Sequence, residues 1–458
     1  MHSYEALDRS GGFSRKNLFA PLKGRDFRVL WMGMTVSLAG DGIFLVALAW
    51  QAYELSNVPT AFSMVGLALS VPHIALLLIG GVISDRFPRR KVMLAADAVR
   101  GMAVGTMGLL ALTGSLELFH LAALAAVYGA GMAFFGPAFD AIVVDVVPEH
   151  LYPQANSLDQ LMKPLALRMA GPAVGGWLIG AWGPAPAFFV DALTFAVSAV
   201  CLCCMTAAPR RPGEARLGSL KEELAAGLAF VRGRVWLWGT FASAALAYLL
   251  FMGPAEALVP FVVKNELGGD ASDLGFVFAL GGAGSVAAAL SYGFWGSPRR
   301  PITFMYLSWT LATVAVAGYG AATDLWMLLA ASVAFHSFET AGTIAWMTLK
   351  QRLIPGALLG RVSSLDWLVS TALLPLSFAL TGPVAVAIGA RSTLLLAGLA
   401  GGAITLGALF LPGMRRPERV REGALPPPPP PPRSLGPPPP PPPRVNKHPL
   451  GANRVLVP

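Results

Sequence analysis

Twelve long apolar runs, each closed off by charges, glycines or prolines, constrain this chain more than any other feature. They fall at about 28–54, 59–83, 92–113, 118–147, 156–182, 185–206, 235–263, 274–296, 301–322, 325–350, 362–388 and 391–412. A bilayer core is crossed by a helix of ~20 apolar residues. Lipid offers no partner to an open backbone, so runs of this length form helices, whereas a barrel would need short alternating strands. The composition agrees: of 458 residues, 55% are hydrophobic and only 13% charged. A soluble chain of this length splits into several domains, each with a charged surface, and these charges are too few to cover them. A soluble enzyme, a disordered protein and a secreted disulfide scaffold are all excluded. Cys201, Cys203 and Cys204 sit together in one run, which is neither a disulfide framework nor the spaced ligand set of a metal site. The polar, basic stretch before the first run is not a cleavable signal.

Lys and Arg set the orientation. They crowd into alternate connections: Lys23, Arg25 and Arg28; Arg86, Arg89, Arg90 and Lys91; Arg210, Arg211, Arg216 and Lys221; Arg299 and Arg300; Arg352 and Arg361. The connections between these carry only Lys264 and Arg391. By the positive-inside rule both termini face the cytoplasm of a cell membrane. The net charge of +9 is therefore directed at the lipid surface, and nucleic acid is not an expected partner.

The chain divides six plus six. A charged connection at 207–234 separates an N-terminal bundle, 28–206, from a C-terminal bundle, 235–412; segments 1–27 and 413–458 lie outside them. The halves repeat. Pro148, Ser157, Leu158 and Asp159 recur as Pro355, Ser364, Leu365 and Asp366 at an offset of 207, and Pro88-Arg89-Arg90 recurs as Pro298-Arg299-Arg300 at an offset of 210. Parallel six-helix repeats place a binding site between halves that rock against each other. The tail carries two proline runs, 426–432 and 437–443. They form stiff extended rods, and a solvated low-complexity tail without a dedicated partner accounts for them.

Gly81-x-x-x-Asp85-Arg86-x-x-Arg89-Arg90, between the second and third runs, resembles the signature loop of the major facilitator superfamily. Gly171-Pro172-x-x-Gly175-Gly176 in the fifth run resembles the antiporter motif of its drug-exporting members. Ser37-x-x-Gly40-Asp41 and Phe135-x-Pro137-Ala138 resemble its enterobactin-exporter and macrolide-efflux branch. Pro88 stands where the family loop has glycine, Leu167 replaces the leading glycine of the antiporter motif, and Leu124–Phe134 lacks the fourth-helix arginine of many proton-coupled members. The resemblance implies an all-α polytopic protein of twelve transmembrane helices in two pseudo-repeats, with helices one, four, seven and ten lining a central cavity. It implies a gating role for Gly81, Asp85, Arg86, Arg89 and Arg90. Physically, Gly81 is expected to let the second helix end tightly, Asp85 to latch onto a helix N-terminus, and Pro172 to bend the fifth helix.

Ionisable residues inside a span mark function by default. Asp97 and Arg100 are three apart and pair; Asp140 and Lys163 are placed to pair across a hairpin; Arg168 lies deeper, placed to bond Asp140 or freed carbonyls; Asp191 caps a helix. Asp41, Glu339 and Glu256 have no cation nearby in sequence, and His336 sits one turn before Glu339. Burial disfavours the charged form of an acid, which makes Asp41, and then Glu339 with His336, the candidates for proton coupling. The cavity candidates are Tyr128, Met132, Phe135, Phe251, Met252, Glu256 and Phe338, side chains that suit a bulky, largely apolar, neutral or cationic ligand. No nucleotide loop, metal cluster or nucleophile appears, so neither a cofactor nor an enzyme is expected. The expected function is proton-coupled efflux of a small molecule, against a proton-coupled importer or lipid flippase and a non-transporting membrane sensor.

Overall fold

The computed structural model describes residues 19–148, 151–206 and 227–421. The proline runs and most of the central connection lie outside the described residues, as does the side chain of Asp85. Through Glu418 the chain forms one compact unit.

Among the described residues, twelve long helical elements make up this unit. The first four are α1 (Arg25–Leu55), α2 (Thr60–Arg86), α3 (Arg89–Leu112) and α4 (Leu118–Val146). In α5, helix Tyr152–Met162 continues through a π-helical stretch, Lys163–Ala170, into helix Gly171–Trp182. Then come α6 (Pro184–Cys204), α7 (Val235–Phe261, extended by a π turn Val262–Glu266), α8 (Ala271–Trp295), α9 (Pro301–Ala321) and α10 (Leu325–Leu353). α11 is Gly356–Thr371 continued by Leu374–Ile388, and α12 is Ala390–Leu409. Ten of these elements are apolar and long enough to cross a membrane. The other two are α5 and α10, which carry Asp159, Lys163 and Arg168, and His336, Glu339, Lys350 and Arg352. Both pack against neighbouring helices, α5 on α1 and α8, α10 on α8 and α9.

The packing repeats with a period of six helices. In the first half α1 packs on α5 and α6, α3 on α4 and α6, and α2 on α4; in the second half α7 packs on α11 and α12, α9 on α10 and α12, and α8 on α10. The halves join through α2 on α11 and α5 on α8, a pair that also exchanges under the repeat. With no hydrophobic drive between helices in lipid, close approach at small residues holds them.

Several close contacts between the halves lie at the end away from the termini. The Tyr53 hydroxyl donates to the Ala257 carbonyl, and the Tyr53 ring meets Phe261 edge-on at 5.4 Å. Gly66 lies under Phe378, and Gly382 lies on Thr60. On the α5–α8 seam, a methyl placed on Gly176 would fall 2.8 Å from the Gly275 Cα.

Two local expectations change. Gly81 does not end α2; it sits inside the helix, whose C-cap is Phe87. A methyl on Gly81 meets nothing within 4 Å, so neither a turn nor a close approach requires glycine in this conformation. Pro172 lies two residues past a π stretch that begins just before Pro164, where prolines remove donors from the helix ladder. The packed chain also runs past 412. A short helix α13, Arg416–Arg421, follows, and Glu418 accepts from the backbone and hydroxyl of Thr303 at 2.7 and 2.9 Å, capping α9.

Candidate functional site

Two groups of charged side chains occupy the middle of the bundle. The first lies within the N-terminal half. Asp41 on α1 accepts a 2.6 Å hydrogen bond from the Tyr128 hydroxyl on α4, and Arg100 Nη1 on α3 lies 3.8 Å from the same oxygen. The acid without a cation nearby in sequence therefore has one in space. Arg100 also bonds Asp97 at 2.6 Å, as the three-residue spacing predicts, and Ser198 on α6 donates to the other Asp97 oxygen at 2.7 Å. The guanidinium lies 4.4 and 4.5 Å from the Phe135 and Phe195 rings, aromatic faces that attract a cation held away from water. Tyr128 is fixed by stacking on Phe44 at 4.3 Å. Asp191 on α6 is fully buried beside this group; it does not cap a helix end but sits inside α6, where Thr194 donates to it.

The second group spans the halves. Arg168, on the π stretch of α5, lies 3.4 Å from Glu339 on α10. Arg168 thus pairs with the opposite half and not with Asp140. Thr343 donates to the other Glu339 oxygen at 3.1 Å. Glu256 on α7 is exposed, forms no ion pair among the described residues, and lies within electrostatic reach of Arg168. The His336 ring nitrogen Nδ1 turns back to Ser332, 3.0 Å from its carbonyl and 3.4 Å from its hydroxyl, and not to Glu339.

The aromatic candidates divide. Tyr128 and Phe251 are buried, the latter between Tyr248 and Phe335 at 5.6 and 6.0 Å, so they shape the walls. Met132, Phe135 and Met252 are half-buried and Phe338 is exposed. In the glycine motif, a methyl on Gly171 would fall 2.7 Å from the Gly42 Cα, and one on Gly175 3.0 Å from the Ile43 Cα. Gly176 turns to α8. The motif thus makes α5 the strip that binds α1 on one side and the opposite half on the other.

The signature loop is tied down inside its own half. Arg89 bonds Asp145 at 2.6 Å and the Ala141 carbonyl at 2.8 Å, both on α4. Arg90 donates to the Cys203 and Met205 carbonyls at 2.7 and 3.0 Å, where the end of α6 leaves acceptors free. Lys163 pairs with Asp159 at 2.7 Å, one turn away, and not with Asp140 as expected. Sequence reasoning missed Asp145 and the buried pair of Lys350 and Asp366 at 2.6 Å. The second was marked by an Asp at the repeat position and a Lys sixteen residues earlier, at the end of the preceding run.

The comparisons with known proteins agree with this architecture. Over 84% of the chain and 95% of the relative, it is 28% identical to the multidrug efflux pump Tap of Mycolicibacterium fortuitum. Over 81% of the chain and 92% of the relative, it is 23% identical to macrolide efflux protein A of Streptococcus pyogenes. The crystal structure of the nucleoside transporter NupG superposes with a TM-score of 0.64 at 10% identity, covering 84% of this chain and 98% of that one, a likeness of fold. A family described as transmembrane secretion effector matches residues 16–428. The protein is a major facilitator superfamily transporter, not an enzyme, and belongs to the transmembrane secretion effector family.

Proposed function

We propose that the protein exports a bulky, largely apolar, neutral or cationic small molecule across the cell membrane by alternating access, driven by protons. The observation that carries this reading is the mid-depth pair of Arg168 and Glu339, with Glu256 beside it. It is the one ion pair among the described residues that joins the two halves. A pair in that place breaks or re-forms whenever the halves rock. An organic cation entering between them competes with Arg168 for the carboxylates, while half-buried Met132, Phe135 and Met252 and exposed Phe338 offer adaptable apolar surface. Asp41 is the proton-coupling acid, and Glu339 the second candidate.

The rocking bodies are residues 28–206 and 235–412, both termini are cytoplasmic, and the far-end contacts correspond to closure on the outer side. The basic loop Arg86–Arg90, with Asp85, gates the cytoplasmic side. The likeness to drug and macrolide efflux proteins supports the direction and the ligand class. The test is proton release on binding. Purified protein in weakly buffered detergent is titrated with a panel of tetraphenylphosphonium, ethidium and neutral macrolides. Release of protons with binding, lost in Asp41→Asn, supports the reading; binding of the same compounds with no proton change overturns it.

A further inference from the structure

Three carboxylates and one guanidinium meet inside the N-terminal half, and they are not equally served. The side chains of Asp97 and Asp191 are fully buried, and that of Arg100 is 4% exposed. Asp97 takes the close Arg100 bond and a Ser198 hydroxyl. Asp41 takes the Tyr128 hydroxyl and faces Arg100 Nη1 at 3.8 Å. Asp191 receives only Thr194, whose hydroxyl lies 3.2 Å from Oδ1 and closer, at 2.7 Å, to the Asp191 carbonyl. Its Oδ2 is buried without any hydrogen-bond partner. A buried carboxylate that forms no ion pair and leaves one oxygen orphaned is among the most costly groups a protein can hold, and the one guanidinium in reach, already bonded to Asp97 and facing Asp41, does not neutralise three.

The backbone explains why Asp191 comes so close. Position 40 on α1 is glycine, and a methyl there would collide with both Thr194 and the Asp191 carboxylate. Asp191 is thus seated against α1 one residue from Asp41. The charged and titratable groups facing it are Asp41 from α1, Arg100 from α3 and Tyr128 from α4. The segment of α5 packed on α6, Gly171–Trp182, has no titratable side chain.

We infer that Asp41 and Asp191 form one proton site: Asp41, 17% exposed, is its port, and Asp191 is the sealed store that holds the proton in this conformation. In the transfer an O–H bond breaks on Asp41 and another forms on Asp191. The charge left on Asp41 is met by Arg100 and by the Tyr128 hydroxyl, the arrangement the structure records. The return step leaves Asp191 ionised for a time and reloads Asp41, from which the proton departs. This deepens the proton-driven reading of the transporter and rests on it for its role in transport, though not for the existence of the site.

Infrared spectroscopy of the full-length protein in liposomes tests the site without any substrate. At neutral pH the parent should show the carbonyl stretch of a protonated, buried carboxyl. That band should vanish in Asp191→Asn, remain in Asp41→Asn, and shift in Thr194→Val, which keeps the shape but removes the donor. In the parent it should fade as external pH is raised; in Asp41→Asn, with the port gone, it should not. Should Asp191→Asn fail to fold, the Thr194→Val shift reads the same assignment. A band untouched by Asp191→Asn or Thr194→Val, or one in the parent that ignores pH, overturns the inference. A titrating Asp191 band in a protein whose transport ignores proton gradients would remove the proton-driven reading and leave the site. Gradient-driven transport without the band would do the reverse.

Discussion

A single methyl at Gly176 should unseat the closure between the halves. On the α5–α8 seam it would fall 2.7 Å from the Ala271 carbonyl oxygen and 2.8 Å from the Gly275 Cα, both backbone atoms with no rotamer to change. Apolar contacts settle at ~3.5–4.0 Å, so the seam has to open by ~1 Å. Overpacking of this kind costs ~1–3 kcal/mol. The seam joins the two halves, so the cost falls on the closed-seam conformation while each half stays folded. At a tenfold change per ~1.4 kcal/mol, the equilibrium moves about 5- to 150-fold toward the conformation open at that end. Gly105→Ala is the control, because its methyl meets only the Ala192 Cβ at an ordinary 3.7 Å. Spin labels at Asn57 and Thr323, exposed in far-end connections of opposite halves, report the spacing in a chain with its three cysteines replaced by serine. Gly176→Ala should add a longer-distance population that Gly105→Ala lacks. An unchanged distance distribution in folded Gly176→Ala protein would refute the argument.

Other substitutions address separate parts of the account. Lys350→Met leaves Asp366 buried and uncompensated and should cost ~3–5 kcal/mol, seen as a lower thermal midpoint; Lys350→Met with Asp366→Leu should recover most of it. Arg168→Gln removes the cation that competes for Glu339. Because the pair is partly exposed, the gain should be ~0.5–1 kcal/mol, a two- to fivefold tighter binding of tetraphenylphosphonium by calorimetry, and unchanged or weaker binding would count against competition. Arg89→Gln breaks the tie to Asp145 and should raise hydrogen exchange at the start of α3 and the end of α4, with α9 and α12 unaffected.

The crossings were legible because lipid leaves a long apolar run no other form: the runs at 118–147 and 301–322 match α4 and α9 to within a residue. The starts of α5 and α11 were not, since Tyr152 and Gly356 open polar turns that add helix outside the apolar run. The repeat was legible from proline, serine and aspartate at fixed offsets, and it reappears in which helices pack together. The acids of the site were legible as charges in apolar runs, but their partners were not. Arg100 read as the companion of Asp97, three residues away, and nothing in a linear pattern reports that α3 carries it to Asp41 as well. Arg168 and Glu339 sit 171 positions apart and meet because the halves do. Asp191 read as a cap because its neighbours on α1, at Gly40 and Asp41, become visible only in three dimensions.

The central claim is that protons drive export through Asp41. Inverted membrane vesicles, acidified inside and offered a panel of bulky organic cations and neutral apolar compounds, test it most directly. The parent should accumulate a transported compound only while the gradient lasts and lose it on addition of a protonophore. Asp41→Asn should equilibrate the same compound without accumulating it. Uphill accumulation by Asp41→Asn at the parent's level, or accumulation by the parent that a protonophore leaves intact, would contradict the account.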